Sequence, residues 1–239
     1  MLGVATTSPR PSLVQGARGA RSTIALKMLM AVTGIVFILF VLGHMYGNLK
    51  AFSGHDAYNE YAHHLRVLGE PLLPYEGFLW IMRVGLIVAL VVHVYCAATL
   101  WRRANHARTK RYVVKKSLAS SWSSRTMRWG GLTILLFLIW HLLNFTIGKV
   151  NVTGGATNDP YNLLVDTLQT WWMTIIYLLA MVALGLHLHH GVWSSAQTLG
   201  LTNNSSARRN ARGLGWIVAI VIAGGFSLVP LFVVFGVID

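Results

Sequence analysis

The chain has 239 residues, 54% of them hydrophobic and only 11% charged, and its mean hydropathy is positive. Soluble domains carry about 25% charged residues, so a water-soluble enzyme fold is excluded, and a single Cys96 excludes an intramolecular disulfide. The formal charge of +13 would suit nucleic acid, but no recognition motif accompanies it and its distribution has another meaning.

In chain order, residues 1–22 are rich in Ser, Pro, Gly and Arg and read as a mobile cytoplasmic terminus. Residues 23–239 read as one all-α membrane domain. Five apolar stretches, 27–47, 77–101, 129–148, 171–195 and 214–237, each reach or approach the roughly 20 residues that cross a bilayer core. The first follows Arg10, Arg18 and Arg21 as a signal peptide would, but it is long and lacks a small-residue cleavage site, so it reads as a retained span.

Sixteen of the twenty Lys and Arg residues fall before the first span, between the second and third, and between the fourth and fifth. All seven acids (Asp56, Glu60, Glu70, Glu76, Asp159, Asp166 and Asp239) fall in the other connections or at the carboxyl end. The positive-inside rule then puts the N-terminus in the cytoplasm and the C-terminus outside. The basic charge is a topology signal and a docking face for a partner or for anionic lipid. The 102–128 connection is long and very basic, with its own Trp122, and its role is not derivable from the sequence. In the outer 49–76 connection, Asp56 reads as an N-cap ahead of Tyr58, Tyr61, Leu65 and Leu68 at helical spacing, an amphipathic surface segment ended by Gly69, Pro71 and Pro74. The outer 149–170 connection reads similarly, with Asp159 and Pro160 as N-cap and first helical residue of a segment running through Leu163, Leu164 and Leu168 into Trp171 and Trp172 at the interface.

Four of ten histidines lie inside spans: His44, His93, His141 and His187, one on each of spans one to four. Ionisable groups there are expensive and functional by default, although any one alone is as readily a partner for a neighbouring carbonyl. Counted from the cytoplasmic ends, His44 and His141 lie high and His93 and His187 low, the levels separated by roughly 5–14 Å at 1.5 Å per residue. Two levels with two histidines each is what two stacked bis-histidine haems require. Two such ligands leave no position for oxygen, which implies electron transfer. Span four also offers His189 and His190. His189 points about 160° from His187 at 100° per residue, and His190, nearer the cytoplasm, is a partner for a propionate or quinone. Gly34, Gly43, Gly47, Gly85, Gly130, Gly131 and Gly185 would admit a flat macrocycle, or would serve ordinary helix packing.

Leu-Gly-His-Met-Tyr-Gly-Asn-Leu (42–49), Leu-Gly-Glu-Pro-Leu-Leu (68–73), Leu-Trp-Ile-Met-Arg-Val-Gly-Leu (79–86) with His93, Trp-His-Leu (140–142) and Gly-Leu-His-Leu-His-His-Gly-Val-Trp-Ser-Ser-Ala-Gln-Thr-Leu-Gly (185–200) carry a resemblance. Over about residues 22–237 the chain resembles the cytochrome b membrane-anchor subunit of succinate dehydrogenase and fumarate reductase, in its single-subunit, five-helix, dihaem form. The resemblance implies a multi-pass protein of the bacterial inner membrane and two haem b groups, His44 and His141 holding the outer and His93 and His187 the inner. It implies an iron–sulfur subunit on the cytoplasmic face and, through it, a flavoprotein with covalent FAD, with menaquinone as electron partner. No dinucleotide fingerprint or cysteine cluster is present, so succinate chemistry belongs to those partners. The alternatives are the dihaem anchor of another respiratory dehydrogenase, a haem-free anchor, or a transporter, which would show a polar route through the spans.

Arg83, the one charged residue well inside a span, is expected to pair with a haem propionate or to snorkel outward. For quinone, the cytoplasmic candidates are Ser22, Thr23 and Lys27 with Trp193, Ser194 and Gln197. The outer candidates are Tyr75, Glu76 and Trp80, favoured because a second haem has little use if electrons leave before it.

Overall fold

A computed structural model describes residues 22–107, 122–147 and 157–239. The reading of residues 1–21 as a mobile terminus, the middle of the 102–128 connection and the start of the 149–170 connection lie outside the described residues.

The described chain is helical, with α1 (Thr23–Leu49), α2 (His55–Val67), α3 (Gly77–His106), α4 (Trp122–Leu142), α5 (Pro160–Gln169), α6 (Trp171–Thr198) and α7 (Ser205–Val234). A 3-10 turn, Lys50–Ser53, extends α1, and a π turn, Leu143–Ile147, extends α4. Five of these, α1, α3, α4, α6 and α7, are long and apolar enough to cross a membrane. Each corresponds to an expected span, generally longer than the apolar run because polar caps and basic turns continue the helix. Ser22 starts α1 by accepting from Ala25 N at 3.0 Å, and Asn204 starts α7 by accepting from Ala207 N at 2.8 Å.

The spans alternate in direction, so α2 and α5 share one end, the capped end, and the connections richest in Lys and Arg share the other, the basic end. Large apolar side chains such as Val84, Ile87, Val88 and Val91 on α3 point outward, as expected where the surrounding solvent is lipid. Between α6 and α7 the contact is made by small residues, with Ala219 buried and Gly185 against Ala223. Without a hydrophobic force between helices in lipid, such close backbone approach supplies the packing.

Both capping helices differ from expectation in detail. Gly54, at φ 87°, is the N-cap of α2, and Asp56 falls in its first turn. The Asp56 carboxylate is engaged by His55 Nδ1 at 2.9 Å instead of by a backbone amide. None of the residues of α2 is fully buried, yet Tyr58 packs on the core and Tyr61 on α1. Asp159 does cap α5, accepting from Asn162 N at 3.0 Å, with Pro160 following. That helix is buried rather than interfacial: Tyr161, Leu164, Val165 and Leu168 join Met173, Tyr177, Val229 and Val233 in one cluster.

Candidate functional site

The four span histidines meet in two pairs. His44 on α1 faces His141 on α4 with ring centroids 5.8 Å apart and planes at 80°. His93 on α3 faces His187 on α6 at 6.3 Å and 54°. Two imidazole nitrogens bound to one metal at about 2 Å each put the ring centroids on the order of 6 Å apart. Both pairs therefore stand at the spacing that one shared iron requires. Among the described residues, α3 packs on α1, α1 on α6 and α6 on α4, whereas α1 with α4 and α3 with α6 lack close backbone approach. Each pair thus crosses the bundle diagonally, meeting only through side chains.

The two levels can be measured twice. Thr33 on α1 touches His93 and lies eleven residues before His44; Tyr177 on α6 touches His141 and lies ten before His187. At 1.5 Å per residue both helices give about 15–17 Å between layers. This exceeds the roughly 5–14 Å expected from depths counted along the apolar runs.

The surroundings suit a flat, apolar cofactor. His44 stacks on Phe40 at 5.4 Å and lies 5.7 Å from Phe226. His141 is flanked by Phe137 at 5.8 Å and Phe145 at 5.2 Å, with its Nδ1 3.4 Å from the Tyr177 hydroxyl. His93 Nδ1 lies 3.0 Å from Thr33 Oγ1. His187 Nδ1 is buried without a hydrogen-bond partner, a rare condition that asks for an explanation such as a bound group. Two of the expected glycines stand beside these rings: a Cβ on Gly34 would lie 3.7 Å from His93, and one on Gly131 3.6 Å from His187. Gly47 and Gly185 instead admit Tyr61 and Ala223. A cavity of ≈ 320 Å³ beside His187, lined by Gly130, Thr133, Val182 and Leu186, opens between α4 and α6. The donor set, the spacing, the apolar aromatic surroundings and the glycines beside His93 and His187 all fit haem.

On α6 the three histidines separate as helical geometry dictates. His189 stacks on Trp216 of α7 at 4.2 Å, and its carbonyl abuts Gly215. His187 alone of the three pairs with His93, and His190 is half-buried outside both pairs.

Among the other candidates, Arg83 reaches the Glu76 carboxylate at 3.4 Å and stands 5.0 Å over the Trp80 ring. Arg66 of α2 reaches the same carboxylate at 3.4 Å. Glu76 itself has φ 60°, the left-handed region, a strain that persists only when its surroundings fix it. Glu76, Trp80 and Arg83 thus form one cluster at the capped end, beside an exposed Tyr75. At the basic end, Ser22 caps α1, Thr23 accepts from Arg103 at 3.1 Å, the backbone carbonyl of Ser194 accepts from Thr198, and Trp193 lies 4.7 Å beneath Arg212. Lys27 and Gln197 are exposed.

Three residues near the site have no place in the sequence-based reading. Thr33 is the lone Ser or Thr in the run 27–47, which was a usable signal. Tyr177 is one aromatic among many. Asn144, fully buried in the π turn, donates to Thr167 at 3.2 Å, and nothing in the sequence marks a π turn.

Comparison with known proteins follows the same line. The family described as succinate dehydrogenase/fumarate reductase transmembrane subunit matches residues 102–226, just over half of the chain. The succinate dehydrogenase cytochrome b558 subunit of Bacillus subtilis (strain 168) is 24% identical over 210 residues, covering 87% of this chain and 94% of its own. No solved structure matches.

Proposed function

The chain belongs to the succinate dehydrogenase/fumarate reductase transmembrane subunits, and from that premise we propose that it carries electrons between an iron–sulfur subunit and membrane menaquinone through two b haems. His44 and His141 hold one, His93 and His187 the other. The observation that carries this reading is the pair of facing histidine couples, 5.8 and 6.3 Å between ring centroids, in separate layers of one bundle. Haem b, when bound, supplies a one-electron iron couple with no open coordination site.

The chain's own residues do the rest. Helices α1, α3, α4 and α6 hold the rings at fixed spacing, and Phe40, Phe137, Phe145 and Phe226 keep water from the layer nearer the capped end. With the N-terminus cytoplasmic, the basic end faces the cytoplasm and presents the docking surface for the iron–sulfur subunit, which joins the FAD-bearing flavoprotein. Succinate is handled there, so this chain is not an enzyme alone. The layer of His93 and His187 is nearer that surface, and the layer of His44 and His141 nearer the outside.

Quinone chemistry is assigned to the outer, capped end. Tyr61 of α2 packs against Tyr46 and Gly47, one turn from His44, and Arg66 further along α2 reaches Glu76. One short helix therefore links the outer histidine layer to the Tyr75, Glu76, Trp80 and Arg83 cluster, and Glu76 is the group to exchange protons with the exterior. Arg83, bound to Glu76, orients that carboxylate, and a propionate is its second partner. Quinone reaction at this end places the electron path across the membrane, coupled to its potential at about 2.3 kcal/mol per charge per 100 mV.

A reduced-minus-oxidised visible spectrum of the complex tests the haem assignment, with two b haems per chain expected. Glu76→Gln is expected to slow menaquinone turnover with both haem spectra intact. Normal turnover in that variant, with loss in Ser194→Ala or Trp193→Leu, would move the quinone to the basic end.

A further inference from the structure

We propose that Thr33 is a positioning residue for the haem at His93. It fixes His93 so that Nε2 is the nitrogen left for iron, and it lowers the potential of that haem alone. The inference rests on the bis-histidine reading above and concerns a residue on a different helix from either ligand of that layer.

The argument is a proton count. A threonine hydroxyl has one proton and can accept as well. Thr33 Oγ1 lies 2.8 Å from the Leu29 carbonyl and 3.2 Å from the Met30 carbonyl of the preceding turn. Carbonyls only accept, so a hydroxyl proton given to either of them leaves the oxygen free to accept. Towards His93 Nδ1, 3.0 Å away, Thr33 then has only lone pairs to offer. With Nδ1 facing Thr33, Nε2 is the nitrogen left for iron, and a neutral imidazole bound through Nε2 carries its proton on Nδ1, where the Thr33 oxygen accepts it. A neutral imidazole has one N–H, so Nε2 is bare and basic. Thr33 is itself buried, so water does not compete for the bond.

A donated bond from the far nitrogen of a ligating histidine fixes the tautomer and ring orientation and raises its basicity. A more basic ligand stabilises the oxidised iron over the reduced and lowers the potential. The facing His187 has no partner at Nδ1, so within this layer the effect comes from the His93 side. In the other layer, His141 is 3.4 Å from a tyrosine hydroxyl that can donate or accept, and no tautomer is imposed.

The test uses the assembled complex in membranes, with redox titration of both haems and low-temperature electron paramagnetic resonance of the oxidised form. Thr33→Val keeps the shape and removes the acceptor; Thr33→Ser keeps the acceptor. Thr33→Val is expected to raise one midpoint potential and shift one low-spin signal, leaving the other haem unmoved, and Thr33→Ser to restore both. Loss of one haem in Thr33→Val with its retention in Thr33→Ser also supports the assignment. Two haems with unchanged potentials in Thr33→Val would overturn it, as would equal effects of Val and Ser. A wild-type complex without haem defeats the earlier reading instead, so the two failures are distinguishable.

Discussion

The two halves of this bundle are built differently around the same chemistry. At the capped end, Ala51, Tyr161, Leu164, Val165, Leu168, Met173, Tyr177, Val229, Val233 and Ile238 form one buried cluster, roofed by α5 and flanked by α2. Towards the basic end, among the described residues, the buried cluster is smaller: Leu188, Ala219 and Ile222, with partly buried Leu184 and Val218 against it. The histidines differ accordingly: His44 and His141 are held among several aromatic rings, and His93 by one Phe37 edge at 5.9 Å and a hydrogen bond to a neighbouring helix. Packing density fixes a side chain without naming its tautomer. A hydrogen bond names the tautomer where packing is thin.

The largest expected effect separates the halves completely. His141→Ala and His93→Ala should each remove one of the two haems and spare much of the other, read as haem content and as the difference spectrum. Because the layers lie about 15–17 Å apart at 1.5 Å per helical residue, neither substitution touches the other pair. Loss of both haems from one single substitution would break the comparison, and unchanged content in both variants would remove its basis.

Next in size is a contrast between two glycines on α7. A Cβ on Gly215 would stand 2.7 Å from the His189 carbonyl oxygen, which is backbone and cannot swing aside. A Cβ on Gly225 would meet the sulfur of Met45, the end of a flexible side chain that adapts. Gly215→Ala should therefore cost about 1–3 kcal/mol by overpacking, and Gly225→Ala much less, seen as the difference in unfolding temperature in detergent. A greater loss in Gly225→Ala would mean that the capped half is the more rigid at its helix contacts.

Tyr177→Phe is expected to do little to either haem potential, in contrast to Thr33→Val, since a 3.4 Å contact to His141 is at the weak limit of hydrogen-bond geometry. A shift in the titration as large as that from Thr33→Val would show that both layers are tuned alike.

Much of this was legible in the sequence because a bilayer leaves few choices. A span must satisfy its backbone internally, so five apolar runs become five helices, and a polar ring inside them stands out. The pairing of His44 with His141 and His93 with His187 followed from depth, and the outward turn of His189 from helical periodicity. What escaped were features set by atoms distant in sequence. The bond from Thr33 to His93 spans sixty residues. The displacement of the N-cap from Asp56 to Gly54 depends on His55 holding Asp56, and His55 in turn is held by Asp159. Arg83 gave a choice of propionate or headgroup, and its contact with Glu76 follows from a turn at φ 60° that no local propensity announces. The layer spacing was underestimated because depth was counted along separate apolar runs, whereas the contacts of Thr33 with His93 and Tyr177 with His141 that fix it lie between helices.

The smallest prediction concerns the roof itself, where α2 and α5 are joined by charge as well as by the Tyr58 and Tyr161 rings. His55 lies 2.9 Å from Asp56 and 2.7 Å from Asp159, with Asn59 on the same Asp159 carboxylate at 2.9 Å and the Tyr161 ring 5.4 Å away. The hydrogen bonds to Asp56 and then Asp159 raise the His55 pKa above its ordinary 6.5. Partial burial pushes Asp159 upward, but the Asn162 amide, Asn59 and His55 together bring it below its ordinary 3.8. A group whose folded value is raised contributes fully below its unfolded pKa and loses that contribution as pH rises through the folded one. A group whose value is depressed contributes above its unfolded pKa and loses it as pH falls through the folded one. The clamp is therefore complete between about 4 and 6.5, set by the two ordinary values, and fades as pH climbs past the raised value of His55. The groups are largely exposed, so the effect is small and screened by salt. His55→Gln should lower the unfolding temperature below pH 6.5 and converge with wild type well above it, while Asp159→Asn should bring the His55 titration, followed by its ring resonances, to a lower pH. An unmoved His55 titration in Asp159→Asn would mean that Asp56 alone holds the ring, and that α2 is joined to α5 through Asn59 and its bond to the Tyr161 amide.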